Sequence, residues 1–256
     1  MAYTFKGGVW PDDHKYTKNV PIEEFSAAAQ VSVSLSQHVG IMCKPVVKVG
    51  EKVRMGQLIG DVPGGLGCPV HASVSGTVVR IDEVTAQRGG TSYNIVMEND
   101  GQNTLADTVQ PFGKTLSEAT SDEIIAAVRA AGITGMGSAA FPTYAKLAAA
   151  RGKVDTLIVN CIESEPFACA SHRLVLEDPA AIIHGLKIIM VALGIQQAWI
   201  AVEGSRKEER AALQPLVGDG GLIQIKKVTS KYPAGSEKQL VYALTKKEIP
   251  AGRTPL

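Results

Sequence analysis

The chain is short of cysteine, of net charge and of long apolar runs, and each shortage removes a class of function. Only Cys43, Cys68, Cys161 and Cys169 occur in 256 residues, and no two share a CxxC spacing, which argues against a disulfide framework, a zinc ribbon or an iron–sulfur ligand run. They read as reduced thiols. Cys169 and His172 stand at a CxxH spacing with Cys161 upstream, but three ligands fall short of the four that close a structural site, so the segment reads as small apolar residues near a loop. Lys plus Arg number 26 against 25 for Asp plus Glu, so no global field gathers nucleic acid or anionic lipid, and any polyanion must be bound locally. No apolar run approaches the roughly 20 residues that span a bilayer. Met1-Ala-Tyr-Thr-Phe-Lys6 also lacks the apolar heart of a signal peptide, so the chain is expected in the cytoplasm, able to dock on a membrane partner.

What is present changes character along the chain, which favours two domains over one. Residues 1–30, with Lys6-Gly-Gly-Val-Trp-Pro11, show little periodicity and read as an extended arm. Residues 31–98 carry short β-rich pieces set apart by glycine: Val31 to Leu35, Lys44 to Val49, Gln57 to Asp61, Ser75 to Ile81 and Asn94 to Met97. Within them Lys44 to Gly60 and Val70 to Ile81 resemble the biotinyl and lipoyl carrier sandwich, with Gly50 and Gly56 at its turns and Ala72-Ser-Val-Ser-Gly76 at its second hairpin. The acylated lysine is missing. Gly64-Gly-Leu-Gly-Cys-Pro69 stands at the tip, so the module reads as a structural or docking element. His38 and His71 read as ordinary hydrogen-bonded histidines.

Residues 99–119 are polar, contain Pro111 and Gly113, and read as a linker. From 120 to 250 helices and strands alternate. Thr120-Ser-Asp-Glu123 forms a capping box ahead of Ile124, Ile125, Val128 and Ala131, and Gly132 stops that helix. Thr156 to Asn160, Ala198 to Val202 and Ile223 to Val228 are short apolar strands, while helices are expected over Ala180 to Leu193, Lys207 to Leu216 and Glu237 to Leu244. Asp178 with Pro179 and Ser236 supply the caps for the first and last of these. The pattern predicts a parallel α/β sheet with helices on both faces.

Three segments carry chemistry. Gly132-Ile-Thr-Gly-Met-Gly-Ser-Ala-Ala-Phe-Pro-Thr-Tyr-Ala-Lys146 is a loop whose glycines admit close backbone approach, whose Pro142 suits the first turn of a helix, and whose Lys146 reaches for an anion at that turn. Asn160-Cys-Ile-Glu-Ser-Glu-Pro166 follows the C-terminal end of an apolar strand, where ligands bind in open α/β sheets. Lys231-Tyr-Pro-Ala-Gly-Ser-Glu237 repeats that arrangement after a later strand.

Together these segments resemble the glycine loop, the NADESEP stretch and the YxxGEE stretch of the flavoprotein subunit of respiratory complex I. The order of modules, with Thr4 to Pro11, Leu35 to Gly40, Lys44 to Gly60, His172-Arg-Leu174 and Tyr232 to Leu244, is more similar to the RnfC family, the C subunit of a membrane-bound, ion-translocating NADH:ferredoxin oxidoreductase. The resemblance implies a barrel-sandwich hybrid module followed by a Rossmann-like FMN- and NADH-binding α/β domain. It implies that Gly135, Gly137 and Lys146 hold the FMN phosphate, that Asn160, Glu163 and Ser164 meet its ribityl chain and ring edge, and that Tyr232 and Gly235 lie beside it. Phe141, Glu165 and Glu237 would face NADH. Hydride transfer from NADH to FMN needs no general base, so no catalytic acid or base and no metal ligand is assigned.

Three departures from the complex I pattern stand out: Ser138 replaces a glycine, Met136 an arginine and Ile162 an acidic residue. RnfC proteins also carry two [4Fe-4S] clusters on a later region, and residues 251–256 resemble the approach to it, so the clusters are expected beyond this sequence. Other Rnf subunits, ferredoxin or a ferredoxin-like subunit, and the cytoplasmic face of the membrane are the partners and place that the resemblance implies. A soluble RnfC-like reductase, such as a cobalamin or proline reductase component, and a docking protein with a decayed flavin site are the alternatives.

Overall fold

The computed structural model describes residues 2–26, 28–86, 89–137 and 140–254. Two compact units emerge, Phe25–Ala149 and a second made of Met1–Glu24 with Ala150–Leu256. The division into arm, sandwich, linker and α/β domain remains a proposal about modules; the compact units group the residues differently, placing the arm with the α/β sheet.

In the first unit, strands β1 (Gln30–Ser34), β3 (Lys52–Val53), β6 (Gly76–Thr85) and β7 (Thr91–Asn99) form one sheet in the order β1-β7-β6-β3. Strands β2 (Lys44–Pro45), β4 (Leu58–Asp61) and β5 (Val70–His71) form another in the order β2-β4-β5. Every pairing in both sheets is antiparallel. Leu35, Ile59, Val74, Val78, Ile95 and Met97 are fully buried in the core of this unit. The fold is the expected barrel-sandwich. Its strands differ in length from expectation for local reasons. Strand β2 ends at Pro45, one further backbone bond follows from Val46 N to Ile59 O at 3.0 Å, and the chain soon turns with Glu51 N on Lys48 O. Meanwhile β6 and β7 run on as a ribbon through polar Asp82, Glu83 and Asn94. Ala72 to Gly76 links β5 of one sheet to β6 of the other, where a hairpin was expected. Cys68, in the carrier-like tip, is buried.

Helix α1 (Ser121–Ala130) starts with both reciprocal bonds of the Thr120–Glu123 box and is followed by Gly132 at φ 68°. Helix α2 (Thr143–Ala150) begins just after Pro142, whose carbonyl accepts from the amides of Ala145 and Lys146. Pro142 therefore caps this helix, one position earlier than the first-turn place expected.

The second unit is built on β8 (Thr156–Asn160), β9 (Gln197–Glu203) and β10 (Ile223–Val228), all parallel, in the order β10-β9-β8. Alternate side chains serve opposite faces. Ala198, Ile200 and Val202 pack with Val175 of α3 (Ala170–Glu177), with Ile183, Leu186 and Met190 of α4 (Pro179–Leu193), and with Leu213 of α5 (Lys207–Leu213). Trp199 and Ala201 pack on the other side with Leu240, Ala243 and Leu244 of α6 (Glu237–Thr245) and with Phe5 of the arm. Asp178 caps α4 through Ala181 N and Gly194 ends it at φ 68°, as the sequence predicts. Helix α5 stops at Leu213 and tightens into a 3-10 turn over Gln214–Leu216, because Pro215 has no amide for a longer α-helix. Ser236 precedes α6 but its side chain makes no cap bond.

The arm is woven into this unit. Tyr3 pairs with β10 through Tyr3 N on Lys227 O at 2.7 Å and Thr229 N on Tyr3 O at 2.9 Å, and Val9 exchanges two backbone bonds with Tyr232. Gly8 sits at φ +94°, and a Cβ there would stand 2.8 Å from the Tyr232 carbonyl. Both the conformation and the space demand glycine. Replacing Gly8 by Ala is expected to destabilise the second unit by about 2 kcal/mol in urea unfolding followed by tryptophan fluorescence; an unchanged midpoint would mean that the arm does not contribute to that unit's fold.

Candidate functional site

The C-terminal ends of β8, β9 and β10 lie side by side, and their loops are tied together by side chains. Asn160, the last residue of β8, donates from Nδ2 to Gly235 O at 2.8 Å while its Oδ1 accepts from Ile162 N at 3.2 Å. Ser164 Oγ accepts from Gly235 N at 3.1 Å. A Cβ on Gly235 would meet Ile162 O at 2.8 Å, so glycine there lets one strand-end loop press on its neighbour. Two of the three chemistry-bearing segments thus meet through Asn160, Ser164 and Gly235. Tyr232 lies in the same loop, half-exposed, and Glu237 opens α6.

Glu163 has a role that local sequence does not announce. Its carboxylate accepts from the amides of Ser171 at 2.7 Å and His172 at 3.2 Å. It thereby caps α3, whose own N-cap Cys169 makes no side-chain bond. A helix whose cap comes from eight residues upstream leaves no N-cap signature, which is why the sequence around Cys169 reads as loop. The Glu163 amide in turn donates to Glu203 Oε1 at 3.3 Å.

Two cations hold the loops from within. Lys15 is buried, and its Nζ donates to the carbonyls of Glu163, Glu165 and Ala168 at 2.9, 2.8 and 2.5 Å. Arg210 Nη1 donates to the carbonyls of Glu203, Gly204 and Arg206 at 3.2, 3.0 and 2.9 Å. Beside them opens a cavity of about 280 Å³, lined by Trp10, Lys15, Ser164, Glu203, Arg206 and Tyr232 among others.

Behind the loops, His172 Nδ1 and Glu209 Oε1 are 2.7 Å apart with both side chains at most 3% exposed. Burial pushes the Glu209 carboxyl up, and the hydrogen bond and charge of His172 draw it back. Glu209 Oε2 has no hydrogen-bond partner. Burial, then the charges of Glu209 and Glu163, push the Cys161 thiol up to about 12, so it is inert at neutral pH. The His172 ring is engaged by Glu209, and no group of three or more His, Cys, Asp or Glu among the described residues is placed to hold a metal.

The glycine loop belongs to the other unit. There Ile133 to Thr143 closes on itself through Gly135 N on Phe141 O at 2.9 Å and Thr143 N on Ile133 O at 3.0 Å. Met136 is fully exposed at its apex, Phe141 is half-exposed, and Lys146 lies in the first turn of α2. Ser138 lies outside the described residues. A second cavity of about 120 Å³ adjoins this loop, lined by His38, His71, Gly132 and Thr134 with three others. His38 Nε2 accepts from Cys68 N at 3.1 Å and burial pushes His71 down, both in keeping with structural histidines.

Residues 128–256 match the Nuo51 FMN-binding domain, and residues 3–102 match the RnfC barrel sandwich hybrid domain. Over 254 residues the chain is 37% identical to the C subunit of the Na(+)-translocating ferredoxin:NAD(+) oxidoreductase complex of Acetobacterium woodii, covering 98% of this chain and 57% of that protein. It is 36% identical over 257 residues to the C subunit of the proton-translocating ferredoxin:NAD(+) oxidoreductase complex of Clostridium ljungdahlii, covering 100% and 56%. It is 35% identical over 254 residues to the C subunit of the ion-translocating oxidoreductase complex of Pectobacterium carotovorum, covering 98% and 34%. The chain belongs to the RnfC family. It spans little more than half, or less, of the length of these relatives.

Within this RnfC-family chain the glycine loop fits a phosphate. Nothing lies within 4 Å of where a Cβ on Gly137 would stand, and Gly135 would meet only the Phe141 backbone at 3.7 Å or more. The chain's own packing requires glycine at neither position, and the open backbone suits a bound anion. Sequence reasoning missed Lys15, Glu203, Glu209 and Arg210, and singled out His172 without its partner Glu209. Only the burial of charge around the strand ends reveals them, since each lies in a stretch whose local pattern is unremarkable surface. Because the His172–Glu209 pair is buried, Glu209→Ala is expected to lower the unfolding free energy by about 3 kcal/mol, and Glu209→Gln by clearly less, since it keeps a partner for the ring. Equal losses in denaturant titration would show that the charge of the carboxylate, and not its shape or a neutral hydrogen bond, is what matters there.

Proposed function

We propose that this chain forms the FMN- and NADH-binding part of the C subunit of an Rnf-type, ion-translocating NADH:ferredoxin oxidoreductase. The observation that carries this reading is the knot of Asn160, Ser164 and Gly235 at the C-terminal ends of a parallel sheet, within the region that matches an FMN-binding domain. Open α/β sheets bind their ligands at that end.

Gly135, Gly137 and Lys146 would hold the FMN phosphate by backbone amides and a cation, and Asn160, Glu163 and Ser164 would meet the ribityl chain and ring edge. Tyr232 and Gly235 would flank it. FMN supplies the hydride and electron chemistry when bound. The chain's part is to orient: Phe141 offers a half-exposed ring for stacking nicotinamide, and Glu165 and Glu237 offer carboxylates to the hydroxyl groups of NADH. The Ser171 and His172 amides on the Glu163 carboxylate, and the Ile162 amide and Gly235 carbonyl on the Asn160 side chain, fix both side chains in place, so little ordering remains when a ligand arrives.

Electrons would leave for [4Fe-4S] clusters on a region outside this sequence, and from there for ferredoxin or a ferredoxin-like subunit. No helix among the described residues is long and apolar enough to cross a membrane, and the proposed place is peripheral, on the cytoplasmic face, held by other members of the complex. Gly137→Ala tests the phosphate site cleanly. Its Cβ meets nothing in the protein, so thermal stability should be unchanged, while FMN affinity measured by flavin fluorescence quenching should fall about tenfold from crowding at the phosphate. Wild-type affinity in that variant would contradict the assignment of the loop.

A further inference from the structure

We propose that Lys15 is a positioning residue of the flavin and nicotinamide site, reaching from the N-terminal arm to hold the loop that carries Glu163, Ser164 and Glu165. The proposal rests on the functional reading above and adds to it a residue far away in sequence. Lys15 lies 148 to 153 positions from its partners, is 7% exposed, and gives its three hydrogen bonds to the carbonyls of Glu163, Glu165 and Ala168.

Three carbonyls turned inward within six residues have no partner in any regular element, and a single ammonium with three donors satisfies all of them at once. The loop also holds Phe167 at φ +67°, a conformation that a bulky residue keeps only when its surroundings over-determine it. Phe167 N donates to Asp13 O at 2.9 Å and its ring stacks on His14, so the residues flanking Lys15 hold it while Lys15 ties the carbonyls on either side. It simultaneously lines the cavity of about 280 Å³ that the loop borders, together with Trp10 and Lys18 of the same arm. The arm is thus one wall of the cleft and Lys15 the bolt that joins wall to loop.

Other contacts anchor the arm independently. Lys231 Nζ donates to Phe5 O and Gly7 O at 2.6 and 2.7 Å, His14 stacks on Phe167 with ring centres 5.1 Å apart, and Ile22 N donates to the Glu177 carboxylate. Removing the ammonium therefore loosens the loop without releasing the arm.

The experiment compares wild type, Lys15→Met, Lys15→Arg and Glu177→Ala as full 256-residue chains. FMN affinity is read by calorimetry, and backbone hydrogen exchange of the ligand-free proteins by mass spectrometry. Lys15→Met should weaken FMN at least about tenfold, the loss of charged hydrogen bonds to the loop. It should speed exchange at residues 163–168 while leaving β9 and α4 unchanged. Lys15→Arg, which keeps charge and donors, should stay within about threefold of wild type, and Glu177→Ala, which removes the arm's anchor at Ile22 without touching the loop, should bind as wild type does. Wild-type FMN affinity in Lys15→Met overturns the proposal whatever the exchange shows. If the wild-type chain binds no FMN, the flavin reading fails on its own, and exchange decides the role of Lys15: faster exchange confined to 163–168 in Lys15→Met upholds it, unchanged exchange overturns it. Should Lys15→Met not fold, Lys15→Gln takes its place, and wild-type affinity there overturns the proposal equally.

Discussion

Inward-turned main-chain carbonyls at the ends of a parallel sheet need donors, and in this protein two buried or half-buried cations supply them. Lys15 bridges three carbonyls after β8 and Arg210 bridges three after β9. A parallel sheet ends in loops that regular hydrogen bonding cannot satisfy, and burying such loops unpaired is expensive. The two cations make the loops rigid without filling the space in front of them, and a site that binds a large planar cofactor requires that combination. Asn160, Glu163 and Ser164 complete the same scheme by serving amides and carbonyls of neighbouring loops.

This constraint explains why the arm belongs with the sheet, although the whole of Phe25–Ala149 separates the two parts of that unit in sequence. Tyr3 pairs alongside β10, Phe5 fills the apolar layer beneath Trp199 and Ala201, Val9 pairs with Tyr232, and Lys15 enters the loop after β8. The contacts draw on three forces, backbone pairing, apolar burial and charge-assisted hydrogen bonding, and reach from the β10 side of the sheet to the loop after β8. In the barrel-sandwich unit the forces are simpler: antiparallel pairing around a core of Leu35, Ile59, Val78, Ile95 and Met97.

The α/β rhythm was legible because its signals are local. Thr156 to Asn160 and Ile223 to Val228 are strands with the bounds expected, and the caps at Thr120 and Asp178 do what their residue types suggest. The family was legible because motifs come in a fixed order. Helix α3 was not legible, since Glu163 caps it from outside the helix, and neither was the end of α5, where Pro215 limits the helix more than the apolar spacing suggested. The site residues chosen from resemblance fall into two groups: Asn160, Ser164 and Gly235 are drawn together by their own hydrogen bonds, while Gly135, Gly137, Phe141 and Lys146 lie on the loop and helix of the other unit. Lys15, Arg210 and Glu209, the partner of His172, were invisible because tertiary contacts alone turn a surface-type residue into a buried one.

Hydrogen exchange of the 256-residue chain with and without FMN decides whether the loops at the strand ends and the glycine loop together receive the flavin. Protection is expected at residues 132–146, 160–166 and 231–237, with β1 to β7 unchanged. Protection confined to the barrel-sandwich, or no protection under conditions where FMN is shown to bind, would contradict that assignment.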